Sequence, residues 1–220
     1  ADVYLDKTSN LLSSLDLPLS NGFTSYIENI GKVENRGFEV KATAFIVRDN
    51  AKRLSWSVTG SLVHNKDKVV KLSEAMKNEY AKRLLMGGTT PNSVIQEGES
   101  QYTIYAVPSL GIDPSNGYEL FLKKNGEVTY TWDAADRVAC GNTQPKFRGA
   151  LSSMVRWGNF SANISLGYRF GGQIYNSTLA NRIENADKHY NVDDRVFNDR
   201  WQQPGDHTLF KGLTNESQSY

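Results

Sequence analysis

The stretch Asn29-Ile30-Gly31-Lys32-Val33-Glu34-Asn35-Arg36-Gly37-Phe38-Glu39-Val40-Lys41-Ala42-Thr43-Ala44 decides how this chain is read. From Phe38 the apolar residues fall on every second position, through Val40, Ala42, Ala44 and Ile46. The other parity opens with Glu39, Lys41 and Thr43 before turning apolar at Phe45 and Val47. A period of two marks a strand with one greasy face and one largely polar face. Gly37 carries no Cβ, so the backbone is free to bend or bulge where it enters the sheet.

Outward from this strand, read over Lys32 to Arg48, the pattern repeats. Val3 to Leu12 reads as a preceding strand, and Ser13 to Gly31 as a loop marked by Pro18, Asn21-Gly22 and Gly31. After a polar turn at Asp49 to Lys52, Leu54, Trp56, Val58, Gly60 and Leu62 alternate with Ser55, Ser57, Thr59 and Ser61, a return arm ending near Asn65. Far downstream, Phe147 to Trp157 and Phe160 to Phe170 alternate in the same way about Gly158-Asn159, a two-residue turn suited to a tight hairpin. Between the hairpins, Lys66 to Lys146 is a long segment. In it Lys71 to Leu85 reads as a short helix, and Tyr118–Lys123 joins Val128–Trp132 through Asn125-Gly126. From Gly171 onward the chain is polar and loop-like.

Composition narrows the function classes. The 220 residues carry 25 Lys and Arg against 24 Asp and Glu, a net charge of +1, so nothing calls for a nucleic-acid partner. Mean hydropathy is −0.52, and no apolar run approaches the roughly 18 residues of a membrane helix. A transmembrane barrel is not excluded, because its strands are only half apolar. Ala1 to Leu5 is neither basic nor followed by an apolar core, which argues against a signal peptide. Cys140 stands alone, and His64, His189 and His207 are scattered without metal-ligand spacing. Asp187, Asp193, Asp194 and Asp199 lack the glycine-turned loop of a calcium site and read as a solvated acidic loop. Gly87-Gly88 and Gly171-Gly172 are not followed by the Lys-Ser or Lys-Thr of a phosphate cradle, and no Gly-x-Ser-x-Gly elbow occurs. The expectation is a non-enzyme with no metal and no cofactor.

Periodicity leaves two all-β architectures open. A β-sandwich would bury the apolar parity against a second sheet. An antiparallel barrel would turn it to lipid, with aromatics near both ends of the band and long loops at one rim. Trp56, Trp157 and Phe160 near the short turns, and Phe38, Tyr168 and Phe170 at the other ends, fit that second layout.

Four ordered stretches resemble the SusC/RagA-like TonB-dependent outer-membrane transporters. They are Asn29 to Val40; Leu54-Ser55-Trp56-Ser57-Val58 running to Asn65-Lys66-Asp67-Lys68-Val69; Gly111-Ile112-Asp113-Pro114-Ser115-Asn116-Gly117 followed by Asn142 to Ala150; and Arg200-Trp201-Gln202-Gln203-Pro204-Gly205-Asp206. The resemblance implies an antiparallel transmembrane β-barrel of about 22 strands with long extracellular loops. This chain would be an internal piece of its C-terminal half, with residues 1–220 in one barrel domain and the plug domain and closing C-terminal strands absent. It implies import of bulky nutrients, glycans or oligosaccharides and sometimes peptides, across the bacterial outer membrane. The implied partners are a SusD-like surface lipoprotein as lid, the TonB complex through the missing N-terminal part, and the lipid and lipopolysaccharide of the outer membrane. A soluble glycan-binding sandwich or a surface adhesin is the alternative.

Among loop aromatics, Tyr118, Tyr130 and Trp132 are the candidate ligand- or partner-binding residues. Aromatic faces stack on sugars, and Asp113, Glu119 and Asp133 nearby would take hydroxyls; packing of the loop's own hairpin is the competing reading. Two geometric expectations follow. Leu54, Trp56, Val58, Leu62, Ala162, Ile164, Leu166 and Tyr168 should form one outward surface, and the turns Asp49–Lys52 and Gly158-Asn159 should share a rim.

Overall fold

The computed structural model describes residues 1–16, 25–186, 189 and 191–212. The strands are β1 (Asp2–Asp16), β2 (Ser25–Asp49), β3 (Leu54–Leu72), β4 (Asn92–Ser93), β5 (Thr103–Ala106), β6 (Ser109–Ile112), β7 (Glu119–Leu122), β8 (Val128–Thr129), β9 (Val138–Asn142), β10 (Phe147–Trp157) and β11 (Phe160–Phe170). The helix α1 spans Glu74–Leu85. The chain divides into two units. The first comprises 1–78, 95–102 and 142–173, and the second 79–94, 103–141 and 174–220.

The first unit is a five-stranded sheet in the order β1-β2-β3-β10-β11, antiparallel throughout and not closed on itself. Direct pairing aligns the parities. Ala44 lies opposite Val58, Val58 opposite Ser153 and Ser153 opposite Ile164; Val40, Leu62, Gly149 and Tyr168 form another such row. One face therefore carries the expected apolar residues other than Ile46, and no second sheet covers it among the described residues. Ile164 and Leu166 are 65% and 62% exposed, which a sandwich core would not allow.

This face is bounded by two aromatic rows. Phe38, His64, Phe147 and Phe170 run across β2, β3, β10 and β11 with ring centroids 5.5, 5.0 and 5.3 Å apart. Trp157 opposite Phe160, with Trp56 beside them, mark the other end. From Phe160 to Phe170 the strand covers roughly 33 Å. At a barrel tilt of about 40° that is close to the roughly 25 Å apolar band of an outer-membrane wall. Between the rows this face holds no charged residue. Glu39, Lys41, Arg148, Arg156 and Arg169 all lie on the opposite parity.

That opposite face is a ladder of small hydroxyls and amides. Thr43 and Thr59 share a hydrogen bond of 3.0 Å; Ser165 donates to Ser152 at 2.8 Å, and Ser152 to Asn163 at 3.0 Å. Toward the far rim it is covered by the chain itself. Val33, Val69 and Leu72 pack with Ile95, and Asp67 accepts from the Ser100 hydroxyl and the Gln101 amide.

Two tyrosines brace the sheet symmetrically about β3. Tyr168 on β11 crosses Gly149 and donates to the Ser61 carbonyl at 2.6 Å; Tyr4 on β1 crosses Gly37 and donates to Asn65 at 3.0 Å. A Cβ on Gly149 would meet the Tyr168 hydroxyl at 2.6 Å, and one on Gly37 the Tyr4 hydroxyl at 2.5 Å. Each glycine is where an aromatic ring lies over bare backbone.

The two short turns share a rim. Gly158 N–H donates to the Arg53 carbonyl at 3.0 Å, and the Arg53 guanidinium to Asn159 at 3.3 Å.

Several boundaries differ from the sequence reading. The loop over Ser13 to Gly31 is largely strand: β1 continues to Asp16 and β2 begins at Ser25, while 17–24 lie outside the described residues. Gly31, at φ 125°, sits at a register shift rather than in a turn, so the hairpin keeps its ladder beyond the apolar band. For the same reason β3 passes Asn65 and ends at Leu72. Lys71 and Leu72 are strand, and α1 starts after Ser73, whose hydroxyl accepts from Met76 N–H. A bulge between Phe45 and Val47 sets Val47, not Ile46, opposite Trp56. The tail after Gly171 holds helical turns at Ser177–Leu179, Ala180–Glu184 and Arg195–Asn198.

Ile164→Arg, mid-band on the apolar face, should destabilise the full-length protein in lipid by about 2–4 kcal/mol, and Ser165→Arg by much less. Equal losses measured by unfolding in bilayers would contradict the two-faced assignment.

Candidate binding site

In the second unit two sequence motifs, far apart in the chain, form one joint. Asp113-Pro114-Ser115-Asn116-Gly117 is a tight corner: the Asp113 carboxylate accepts from Ser115 N–H at 2.8 Å, and the Asp113 carbonyl accepts from Gly117 N–H at 2.8 Å. Trp201 lies on this corner. Its indole N–H donates to the Pro114 carbonyl at 2.9 Å, and Gly205 N–H donates to that carbonyl at 2.8 Å. Gly117, at φ 76°, is buried under the indole, where a Cβ would fall 2.5 Å from the ring. Only glycine satisfies both the left-handed backbone and the close approach.

Neighbouring residues fix the joint. Asp206 accepts from the amides of Gln202 and Gln203 at 3.1 and 2.9 Å. Arg200 is 4% exposed, and its guanidinium donates to the carbonyls of Ile183, Glu184 and Lys211. A guanidinium spread over three carbonyls ties tail segments that have no sheet of their own. Around Glu119, burial pushes the carboxyl up from its ordinary value, against the hydrogen bond from Ser109. Burial pushes the Lys211 ammonium down.

The corner also positions two of the three expected aromatics. Tyr118 follows Gly117, and Tyr130 follows β8 in the sheet β6-β7-β8. Their rings meet edge to face at 6.2 Å and remain 53% and 51% exposed. The Tyr130 hydroxyl donates to Asp113 at 2.6 Å and accepts from the Asn116 amide at 3.1 Å. This bond, with those from Ser115, holds the Asp113 carboxyl below its ordinary value and pushes the Tyr130 phenol up. The result is a pair of open aromatic faces set by a hydrogen-bonded carboxylate.

Trp132 does not join them. It is half-buried, with Arg137 over its ring at 5.1 Å. Arg137 is itself 2% exposed and donates to the carbonyls of Leu84, Met86 and Gly88 at and beyond the end of α1. Trp132 thus sits in a structural clasp. The anticipated hairpin is present, with a Lys123–Gly126 turn, and β6 adds a third strand that alternation over four residues was too short to reveal. Asp193 turns to Arg195 at 2.9 Å, which holds its carboxyl down to about 2, while Asp187 lies outside the described residues. Among the described residues no group of His, Cys, Asp and Glu is placed to hold a metal ion, and no helix is long and apolar enough to cross a membrane.

No family model matches the chain. TonB-dependent receptor P3 of Formosa agariphila is 29% identical over 197 residues, 81% of this chain and 19% of that protein. TonB-dependent receptor P39 of the same organism is 25% identical over 96% of this chain, and TonB-dependent receptor SusC of Bacteroides thetaiotaomicron 23% identical over 82%. A solved structure of the RagAB peptide transporter superposes over 99% of this chain with a TM-score of 0.75 at 19% identity.

The chain resembles the SusC/RagA-like TonB-dependent receptors. It spans 19%, 24% and 18% of the lengths of the three receptors, and 24% of the RagAB transporter chain. The open sheet of the first unit matches part of a TonB-dependent receptor barrel, and the paired motifs in the second unit are the third and fourth stretches that carried the resemblance. The relatives are receptors and transporters, not enzymes.

Tyr130→Phe removes the first-named cause of the Asp113 shift, so the Asp113 carboxyl should titrate closer to its ordinary 3.8. A carboxyl lowered in the folded state favours folding above its unfolded value and loses that contribution as pH falls through the folded one. The variant should lose part of that low-pH dependence. An unchanged Asp113 titration by carbon-detected NMR would exclude the Tyr130 bond as its cause.

Proposed function

We propose that residues 1–220 are part of one TonB-dependent-receptor-like β-barrel domain, in an outer-membrane importer of bulky nutrients, glycan or peptide. The observation that carries this reading is the charge-free face bounded by aromatic rows, backed by a small-hydroxyl face. A wall of this kind would meet lipid on one side and water on the other, where a surface of Ser, Thr and Asn with Glu39, Lys41, Arg148, Arg156 and Arg169 would be open to hydrophilic cargo. The short turns would face the periplasm. The long segments leaving the other rim would lie outside, where a SusD-like lipoprotein would close over them. TonB would act through parts of the protein outside this chain. The RagAB neighbour is named a peptide transporter, and the lid is what the resemblance to the SusC/RagA-like family implies. The protein's work would be binding and gating, with no bond chemistry of its own.

Within this scheme Tyr118 and Tyr130 would contact cargo or lid, and Trp132 would hold the loop. Tyr118→Ala with Tyr130→Ala in the full-length protein should weaken capture by about 2 kcal/mol, the scale of an interface aromatic anchor. Tyr118→Ala alone, which removes no side-chain hydrogen bond of the corner, should leave the protease sensitivity of the free loop unchanged. Trp132→Ala should raise that sensitivity without ligand present. Unaltered cargo uptake and lid affinity in the double tyrosine variant would remove the pair from the binding role.

A further inference from the structure

Beyond the far aromatic row the outward face changes character. Two residues past Phe38 and His64, Arg36 lies directly opposite Lys66; two further on, Glu34 lies opposite Lys68. All four share the parity of the apolar face. At the same height the reverse face is occupied, with Val33, Asp67 and Val69 buried at 4%, 3% and 1%. Arg36, Lys66 and Lys68 are exposed on the open side. Like charges directly opposite on neighbouring strands are destabilising. The one carboxylate among them, Glu34, already binds Lys7 at 3.1 Å, and no ion pair among the described residues involves Arg36, Lys66 or Lys68.

A step of two residues is about 7 Å along a strand. Aromatic rows of this kind sit at headgroup level, so the cations stand where lipid phosphates lie. We propose that Arg36, Lys66 and Lys68 form a site on the outside of the barrel wall for the phosphate of an outer-leaflet lipid. This rests on the membrane reading above. Guanidinium and ammonium groups converging from two strands suit a phosphate's several oxygens, and its charge relieves the Arg36–Lys66 repulsion. Cargo or lid would approach from the mouth, whereas this face points away from the covered side.

The test uses full-length protein in neutral phosphatidylcholine nanodiscs doped with a diphosphorylated glycolipid or its dephosphorylated form, with lipid retention read by native mass spectrometry. The phosphorylated form should be retained preferentially. Arg36→Gln, Lys66→Gln and Lys68→Gln should reduce that preference roughly fivefold per cation, the equivalent of about 1 kcal/mol each. Lys41→Gln on the inner face should leave it unchanged. Insertion with equal retention of both lipids, or a triple variant matching wild type, overturns the site alone. Displacement by millimolar inorganic phosphate overturns its assignment to lipid. Failure to insert in a neutral bilayer overturns the membrane reading and the site with it.

Discussion

β3 is hydrogen-bonded along both edges, to β2 from Leu54 to Leu72 and to β10 from Leu54 to Val63. A strand inside a bilayer must satisfy every backbone polar group within the sheet, because lipid offers no partner. The two-sided ladder meets that demand and fixes the register, and register decides which side chains face which way. A slip of one residue would send Glu39, Lys41, Arg148 and Arg169 into the apolar band. The tyrosines that cross Gly37 and Gly149 to reach β3 reinforce the pairing from both sides. The exposed apolar face, the polar ladder and the shared rim of the short turns all follow from it.

The second unit solves a different problem. Its strands are short and its tail has no sheet, so order comes from side chains that collect backbone carbonyls. Arg200 gathers three and Arg137 gathers three. Trp201 seals the Asp113 corner, which in turn orients Tyr130. These clasps supplement a small apolar cluster of Ile183, Val196 and Phe210 and hold a loop-rich surface that presents aromatic faces.

The hairpin β10–β11 is legible almost to the residue, because one face of the sheet is apolar and the other polar along its whole length, which imposes an uninterrupted alternation. Where that boundary condition ends, legibility ends too. Val33, Val69 and Leu72 are apolar on the inner parity, since the chain's own Ile95 covers them, so the strand beyond the band loses its signature. Ile46 escapes the alternation because a bulge leaves no mark in a run of four apolar residues, Ala44 to Val47. The resemblance motifs flagged Arg200 to Asp206, but nothing local shows that Trp201 reaches Pro114 and Gly117. Tyr118, Tyr130 and Trp132 looked alike in sequence. Their separation into an open pair and a clasped indole depends on Arg137, whose burial no periodicity announces.

The central claim is that the sheet spans the outer membrane with its short turns inside, and the chain carries a reporter for it. Cys140 is exposed on β9, in the segment assigned to the outside, and Asn159 lies in the β10–β11 turn. Intact cells producing full-length protein with no other cysteine would be treated with an impermeant maleimide. Cys140 should label at once. With Cys140→Ser and Asn159→Cys, labelling should require permeabilised membranes. Equal labelling of both positions on intact cells would contradict the account.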